Sequence, residues 1–125
     1  MSASPRTVLV VDDDPQVLRL VEKMLRPRNV KVLMAPRPAE ALAICERESV
    51  HLLISDLAMP EMDGRKLAER VLQLHPHAAV LLISGRYAEP PPSARIGQVS
   101  FLRKPFFPSD LVRHLKELLP EAPET

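Results

Sequence analysis

The sequence predicts an α/β protein with a doubly wound, five-stranded parallel sheet that carries helices on both faces. Short apolar runs alternate with amphipathic segments along the whole chain, which is the pattern of repeated strand and helix units joined by right-handed crossovers. The runs are apolar almost throughout, as expected of strands that are buried on both faces. A length of 125 residues without an internal repeat or linker predicts one domain over 1–125, with an ordered core at about 7–119 and short tails.

Each element follows from local composition. The apolar runs predict strands over 7–11, 30–34, 50–54, 79–84 and 99–103. Apolar residues at three- and four-residue spacing predict helices over 15–26, 39–48, 65–75 and about 110–119. Pro15 suits a first helical position, with Asp14 as the N-cap, and Ser109 or Asp110 is expected to cap the last helix.

The segment over 86–97 is the least regular part of the chain. Strand–helix alternation predicts a fourth helix here, but the segment contains Pro90-Pro91-Pro92. Only the last of three prolines can occupy the first position of a helix, which leaves about one turn before Gly97. We therefore expect a shortened or irregular fourth helix.

Composition excludes several classes of function. The formal net charge of +1 gives no electrostatic reason to expect binding to nucleic acid or to a membrane surface. The single cysteine, Cys45, cannot form an internal disulfide and is expected to be a small core residue. Three glycines leave no room for a glycine-rich nucleotide loop. No apolar run approaches the ~20 residues of a membrane span and no signal-peptide core is visible, so a cytoplasmic location is expected.

Polar residues follow four of the predicted strands: Asp12-Asp13, Asp56, Ser84 and Lys104. The carboxyl ends of parallel strands meet at one edge of a sheet, where open α/β sheets bind their ligands. Crowded carboxylates repel one another, and either Mg²⁺ or the Lys104 ammonium would offset that repulsion. Because a carboxylate can itself accept a phosphoryl group, these residues predict a phosphoryl-transfer site.

Other residues are better explained by structure than by function. Asp56 taken alone would fit a strand-end or turn residue as well as a site residue, and only the other strand ends favour the site. Asp14 is expected to cap a helix rather than bind metal. Asp63 with Gly64 is expected to form a turn, and Met59 and Met62 to pack a loop. No function is expected of the four histidines, which lack metal-ligand spacing: His51, His75, His77 and His114.

The sequence resembles the receiver domains of bacterial two-component response regulators over nearly its whole length. The residues that carry the resemblance are Val10-Val11-Asp12-Asp13, Asp56-Leu57-Ala58-Met59-Pro60-Glu61-Met62-Asp63-Gly64, Leu82-Ile83-Ser84-Gly85 and Phe101-Leu102-Arg103-Lys104-Pro105-Phe106. The resemblance implies a flavodoxin-like fold with strand order 2-1-3-4-5. Ser84-Gly85-Arg86-Tyr87 and the shortened stretch after it are most similar to receivers attached to hybrid sensor histidine kinases. The chain is therefore either a receiver from a hybrid kinase or a stand-alone receiver.

The resemblance also implies roles for individual residues. Asp56 would be the phospho-acceptor. Asp13 and Asp56, with the backbone carbonyl of Ala58, would hold Mg²⁺, and Asp12 would assist through a water molecule. Ser84 would donate a hydrogen bond to the bound phosphoryl group, and Lys104 would pair with an oxygen of that group.

Two further implications concern regulation. Phe101 occupies the position of the family's switch aromatic residue, and as phenylalanine it lacks a hydroxyl for readout. Ala58 and Arg86 occupy the positions where the family tunes phosphoryl lifetime. Since Ala58 cannot position a water molecule, we expect slow self-dephosphorylation.

The implied function is a phosphorelay switch that takes its phosphoryl group from a histidine kinase or a histidine phosphotransfer protein. Phosphorylation would change the surface around the fourth helix, fifth strand and fifth helix. The chain would assist its own phosphorylation and dephosphorylation without being an enzyme, and no contact with nucleic acid or membrane is expected through it. A second copy of the chain, in a weak homodimer, is a further partner that the sequence allows. Two alternatives are a docking module that is never phosphorylated and a phosphatase with an Asp nucleophile, which would need a second Asp where Ala58 stands.

Overall fold

The computed structural model describes residues 5–85, 99–104 and 106–119. Five strands form one parallel sheet in the order β2-β1-β3-β4-β5, so the predicted fold class and strand order are confirmed. The strands are β1 (Arg6–Val11), β2 (Val30–Ala35), β3 (Leu52–Asp56), β4 (Ala79–Ser84) and β5 (Val99–Arg103). The helices of the described residues are α1 (Pro15–Leu25), α2 (Pro38–Arg47), α3 (Gly64–Leu74) and α4 (Pro108–Leu118).

The sheet separates two hydrophobic cores. Side chains alternate along β1, so Val8 and Val10 face one core while Leu9 and Val11 face the other. Helices α1 and α4 cover the first core, and α2 and α3 cover the second. Burial of both faces explains why the central strands contain almost no polar residues.

The parallel register fixes which strand ends are neighbours. Val11 of β1 pairs with Ser55 of β3. Asp12 follows Val11 and Asp56 follows Ser55, and both aspartates are buried. The sheet itself thus brings the two carboxylates to the same edge.

Helix starts follow the predictions in part. The Asp14 carboxylate accepts a hydrogen bond from the Gln16 N–H at 2.9 Å and caps α1, as predicted. The expected cap of the last helix was wrong, because α4 begins at Pro108 with Phe107 at the N-cap position. The fixed φ of proline suits the first helical position, and the Asp110 carboxylate instead accepts from the Phe107 N–H at 2.9 Å.

The start of α3 also differs from its prediction. Asp63 and Gly64 were expected to form a turn, but Gly64 is the first residue of α3 and Asp63 is its N-cap. The Asp63 carboxylate accepts from the Arg65 N–H at 2.7 Å. Met59 and Met62 in the preceding loop pack against the second core, as expected.

Cys45 is a core residue, as predicted, and two histidines make hydrogen-bond contacts with the backbone. Cys45 is buried, and burial raises the pKa of its thiol. His75 lies with Nε2 at 2.8 Å from the Cys45 carbonyl oxygen, which links α2 to the end of α3. His51 accepts a hydrogen bond from the Thr7 N–H at Nδ1, at 3.0 Å, and holds the start of β1.

Several predictions fall outside the described residues. The expected fourth helix over 86–97 falls there, as do residues 1–4 and 120–125 of the expected tails. The N-terminal tail was expected to extend to residue 6, but Arg6 is the first residue of β1. The prediction of one domain over 1–125 stays a prediction. In the part of the chain that the structure describes, no helix has the length and apolar character needed to cross a membrane.

Gly64 should tolerate no side chain, because an added Cβ would lie 2.3 Å from the Asp56 carbonyl oxygen and 2.9 Å from the Leu57 Cα. Both of those atoms belong to the backbone and cannot rotate away. We expect Gly64→Ala to lower the free energy of unfolding by about 1–3 kcal/mol in urea denaturation.

Gly85→Ala is the matched control, since its Cβ would lie 3.5 Å from the Lys104 Cδ, an ordinary contact with a flexible side chain. We expect a change below about 0.5 kcal/mol there. Equal losses in the two variants would contradict the close packing of Gly64.

Candidate functional site

Charged side chains from three strands converge at the carboxyl edge of the sheet. Carboxylate oxygens of Asp12, Asp13 and Asp56 all lie within 4.8 Å of one another. The Lys104 Nζ lies 3.6 Å from the Asp12 Oδ2 and 3.9 Å from the Asp56 Oδ2. The structure therefore brings together four of the residues that the sequence placed at strand ends.

Lys104 reaches this cluster from the end of β5, which is adjacent to neither β1 nor β3 in the sheet. It follows β5, and β4 lies between β5 and β3. The aliphatic part of Lys104 passes Gly85, the residue after β4, where a Cβ would lie 3.5 Å from its Cδ. The small residue at position 85 thus leaves room for the lysine to cross the end of β4.

Asp12 is the most deeply buried member of the cluster, with a side chain only 2% exposed. Its Oδ1 accepts a hydrogen bond from the Asp14 N–H at 2.9 Å. Its Oδ2 has no hydrogen-bond partner among the described residues. Burial raises the pKa of Asp12, although the Asp14 N–H and the Lys104 charge oppose the rise. A buried carboxylate oxygen without a donor indicates a site for a positively charged ligand.

Asp56 is buried beside Asp12, whereas Asp13 is exposed. The Ala58 N–H lies 3.4 Å from the Asp56 Oδ1 and donates a weak hydrogen bond to it. Burial raises the pKa of Asp56, and the nearby Asp13 adds to the rise, while Lys104 and the Ala58 N–H lower it. The cluster is therefore buried at Asp12 and open to solvent at Asp13.

The backbone after Asp56 is held on several sides. The Leu57 N–H donates to the Ile83 carbonyl at 2.8 Å, and the Gly64 N–H donates to the Leu57 carbonyl at 2.8 Å. The Ser55 hydroxyl donates to the Asp56 carbonyl at 2.9 Å. Sequence reasoning did not single out Ser55 or the contact of Gly64; the one available signal was a serine within an apolar strand.

The remaining predicted residues occupy the surroundings of the cluster. Ala58 is exposed two residues after Asp56. Phe101 lies in β5 opposite Leu82 and packs, half-buried, against the second core. Ser84 ends β4, but its side chain lies outside what the structure describes, and Arg86 lies outside the described residues altogether.

The chemistry of the donor set limits what the site can bind. Three carboxylates supply only hard oxygen ligands, which suit Mg²⁺ or Ca²⁺ and not metals that prefer thiolate or imidazole. The Lys104 ammonium offsets only part of the charge of the three carboxylates, so the four residues keep a net negative charge. Together they can hold a cation, and the cation and Lys104 can then stabilise an anionic group beside the Asp56 carboxylate.

Comparison with known proteins identifies relatives of the chain. A family profile described as the response regulator receiver domain matches residues 8–116. The chain is 40% identical over 114 residues, 88% of this chain and 87% of the relative, to an uncharacterized 14.6 kDa protein in the sodA1 3' region of Leptolyngbya boryana. It is 36% identical over 128 residues to the transcriptional regulatory protein GlrR of Escherichia coli, matching 100% of this chain but only 29% of GlrR.

A solved structure agrees with the sequence matches. The receiver domain from the hybrid histidine kinase CckA is 32% identical to the chain and superposes with a TM-score of 0.78. The match covers 90% of this chain and 98% of that domain. Similarity to a hybrid-kinase receiver agrees with the resemblance carried by Ser84-Gly85-Arg86-Tyr87.

The stability of the metal-free protein should fall as the pH rises above about 4, because burial raises the folded-state pKa of Asp12 above the ordinary value of an unfolded Asp. The folded state then binds the proton more tightly than the unfolded state. The penalty is absent at low pH and becomes complete once the pH exceeds the raised pKa. We expect Asp12→Asn to remove this contribution and to be more stable than wild type at pH 7 in EDTA.

Urea denaturation of both proteins between pH 4 and pH 8 measures the effect as the difference between the two curves. Asn retains an oxygen for the Asp14 N–H, so the variant keeps this hydrogen bond. A difference that did not change with pH would contradict the burial of a charged Asp12.

Proposed function

Because this chain belongs to the response regulator receiver domain family, we propose that it is a phospho-acceptor switch in which Asp56 takes a phosphoryl group from a phosphohistidine. The donor would be a histidine kinase or a histidine phosphotransfer protein. The observation that carries the proposal is the convergence of Asp12, Asp13, Asp56 and Lys104 at one edge of the sheet. The residues over 8–116 would act as a single receiver domain.

The proposed step is a displacement at phosphorus. An Asp56 carboxylate oxygen forms a bond to phosphorus while the P–N bond of the phosphohistidine breaks and its electron pair leaves on the imidazole. The Lys104 ammonium, 3.9 Å from the Asp56 carboxylate, is close enough to pair with an oxygen of the transferred group. Position and charge account for most of the catalysis in phosphoryl transfer, and these residues supply both.

The cluster suits Mg²⁺, which typically binds one or two carboxylates and retains several waters. In this proposal Asp13, Asp56 and the Ala58 carbonyl hold the ion, and Asp12 assists through a water molecule. The Asp12 Oδ2 supports the assignment, because it faces the Lys104 ammonium at 3.6 Å but accepts no hydrogen bond from the described residues, and a water on the ion would supply one. The ion would neutralise charge on the incoming phosphoryl group.

Readout would involve β5 and its surroundings. Ser84 would donate a hydrogen bond to the phosphoryl group. Phe101, as the switch aromatic residue, would move inward when the Ser84 hydroxyl is drawn to that group. Ser84 is the last residue of β4, and Phe101 lies in the adjacent strand β5, opposite Leu82. The changing surface would comprise 86–97, β5 and α4, and Arg86 with Ala58 would set phosphoryl lifetime. A cytoplasmic location stays a prediction. So does the context of the chain, which would be either part of a hybrid kinase or a stand-alone receiver.

We expect Asp56→Asn to abolish covalent labelling by ³²P-acetyl phosphate in the presence of Mg²⁺, because the amide oxygen is a poor nucleophile. Wild type should be labelled, and EDTA should prevent the labelling. Asp63→Asn is the control on the same loop, since Asn also caps a helix and Asp63 serves only α3 in this proposal.

The outcomes separate the alternatives. Label that persists in Asp56→Asn would contradict the acceptor assignment. An unlabelled wild type would favour a docking module that is never phosphorylated. Rapid release of phosphate with no labelled intermediate would favour a phosphatase, which the alanine at position 58 argues against.

Ala58→Asn should shorten the lifetime of the phosphorylated protein severalfold. Ala58 is exposed next to Asp56 and offers no polar side chain, whereas asparagine could hold a water molecule near the phosphoryl group. Decay of the isolated phosphoprotein after removal of the donor measures the effect, with Ala58→Val as a control of similar bulk. An unchanged decay in Ala58→Asn would refute this account of lifetime.

A further inference from the structure

The hydroxyl of Ser55 lies in an otherwise apolar environment on β3. Ser55 is fully buried and shares its face of the sheet with Leu53 of the same strand, Val11 of β1 and Leu82 of β4. All three neighbours belong to the second core. Alanine or valine would pack at this position without a polar group to satisfy, so packing does not account for the hydroxyl.

The partner of this hydroxyl is the carbonyl of the proposed acceptor itself. The Ser55 Oγ donates to the Asp56 carbonyl oxygen at 2.9 Å in a buried hydrogen bond. Gly64 approaches the same oxygen from α3, since a Cβ built on Gly64 would lie only 2.3 Å from it. The hydrogen that glycine carries in that direction therefore points at the Asp56 oxygen, a weak C–H···O contact.

Leu57 contributes further hydrogen bonds to this peptide group and to the next one. Leu57 donates its N–H to Ile83 of β4 and accepts from the Gly64 N–H, each at 2.8 Å. Ser55, Ile83 and α3 thus restrain the two peptide groups that follow the Asp56 Cα, and β3 holds the backbone before it. With that backbone fixed, little freedom beyond side-chain rotation remains to the Asp56 carboxylate.

We infer that Ser55 is a positioning residue for phosphoryl transfer: its hydroxyl fixes the Asp56 carbonyl and thereby aims the carboxylate at the donor phosphorus. The inference rests on the proposed function of Asp56. In-line attack tolerates little misplacement of the nucleophile, so a restraint on the acceptor backbone acts on the rate of transfer.

The test compares the rate constant of phosphorylation by acetyl phosphate with Mg²⁺ in wild type, Ser55→Ala, Ser55→Thr and Ser55→Val. In this reaction an Asp56 oxygen bonds to phosphorus as the P–O bond breaks and acetate leaves with the electron pair. Threonine and valine have the same shape, and only threonine keeps the hydroxyl, so their difference isolates the hydrogen bond from any overpacking. We expect valine to react about fivefold more slowly than threonine, and alanine about fivefold more slowly than wild type, the factor expected for one lost hydrogen bond.

A purely structural role would reduce the fraction of protein that can be labelled and leave the rate constant of the folded fraction unchanged. Both quantities are read from the same time course, at a temperature where circular dichroism shows each variant to be folded. Equal rate constants for threonine and valine, or an unchanged rate in Ser55→Ala, would overturn the positioning role while leaving Asp56 as acceptor. A wild type that is not labelled, or label retained in Asp56→Asn, would instead overturn the proposed function and this inference with it.

Discussion

The burial of two carboxylates at the ends of adjacent central strands is the constraint to which the rest of the site responds. The pairing of Val11 with Ser55 fixes Asp12 and Asp56 side by side, and burial raises the pKa of each. Lys104 is the cation that approaches both carboxylates, at 3.6 and 3.9 Å. In the proposed complex, a cation at this edge would bind the folded state alone and would therefore stabilise it. The electrostatic cost in the apo protein is thus the source of affinity in the proposed complex.

The same sheet that concentrates the charge also gives it a rigid support. Both β1 and β3 are covered on each face, and every residue of β3 is buried. Helix α3 begins against the backbone of Asp56 because Gly64 has no side chain. The carboxylates at the edge are therefore held by strands that are buried on both faces and paired on both sides.

The sequence was sufficient for the strands and for the convergence of their ends at one edge, because these follow from short apolar runs and from the geometry of parallel sheets. The strand order was implied by the family resemblance. Helix starts were less predictable. Gly64 favoured a turn on its intrinsic propensity, and only its contact with the Asp56 carbonyl explains why a glycine begins α3. Likewise Phe107 has no capping side chain, so its place before α4 depends on Pro108 and on the Asp110 carboxylate reaching back. The bond of Ser55 depends on which carbonyl lies near its hydroxyl, and local composition carries no such information.

The path of Lys104 across the end of β4 has a mechanical consequence. Its ammonium lies among carboxylates of the central strands, while its backbone directly follows β5, which lies at the end of the sheet and pairs with β4. The Lys104 side chain therefore connects the ends of the central strands β1 and β3 to β5 at the edge of the sheet. In the proposed switch, a change in the charge of Asp56 would alter its ion pair with Lys104, and that change would reach β5, which carries Phe101.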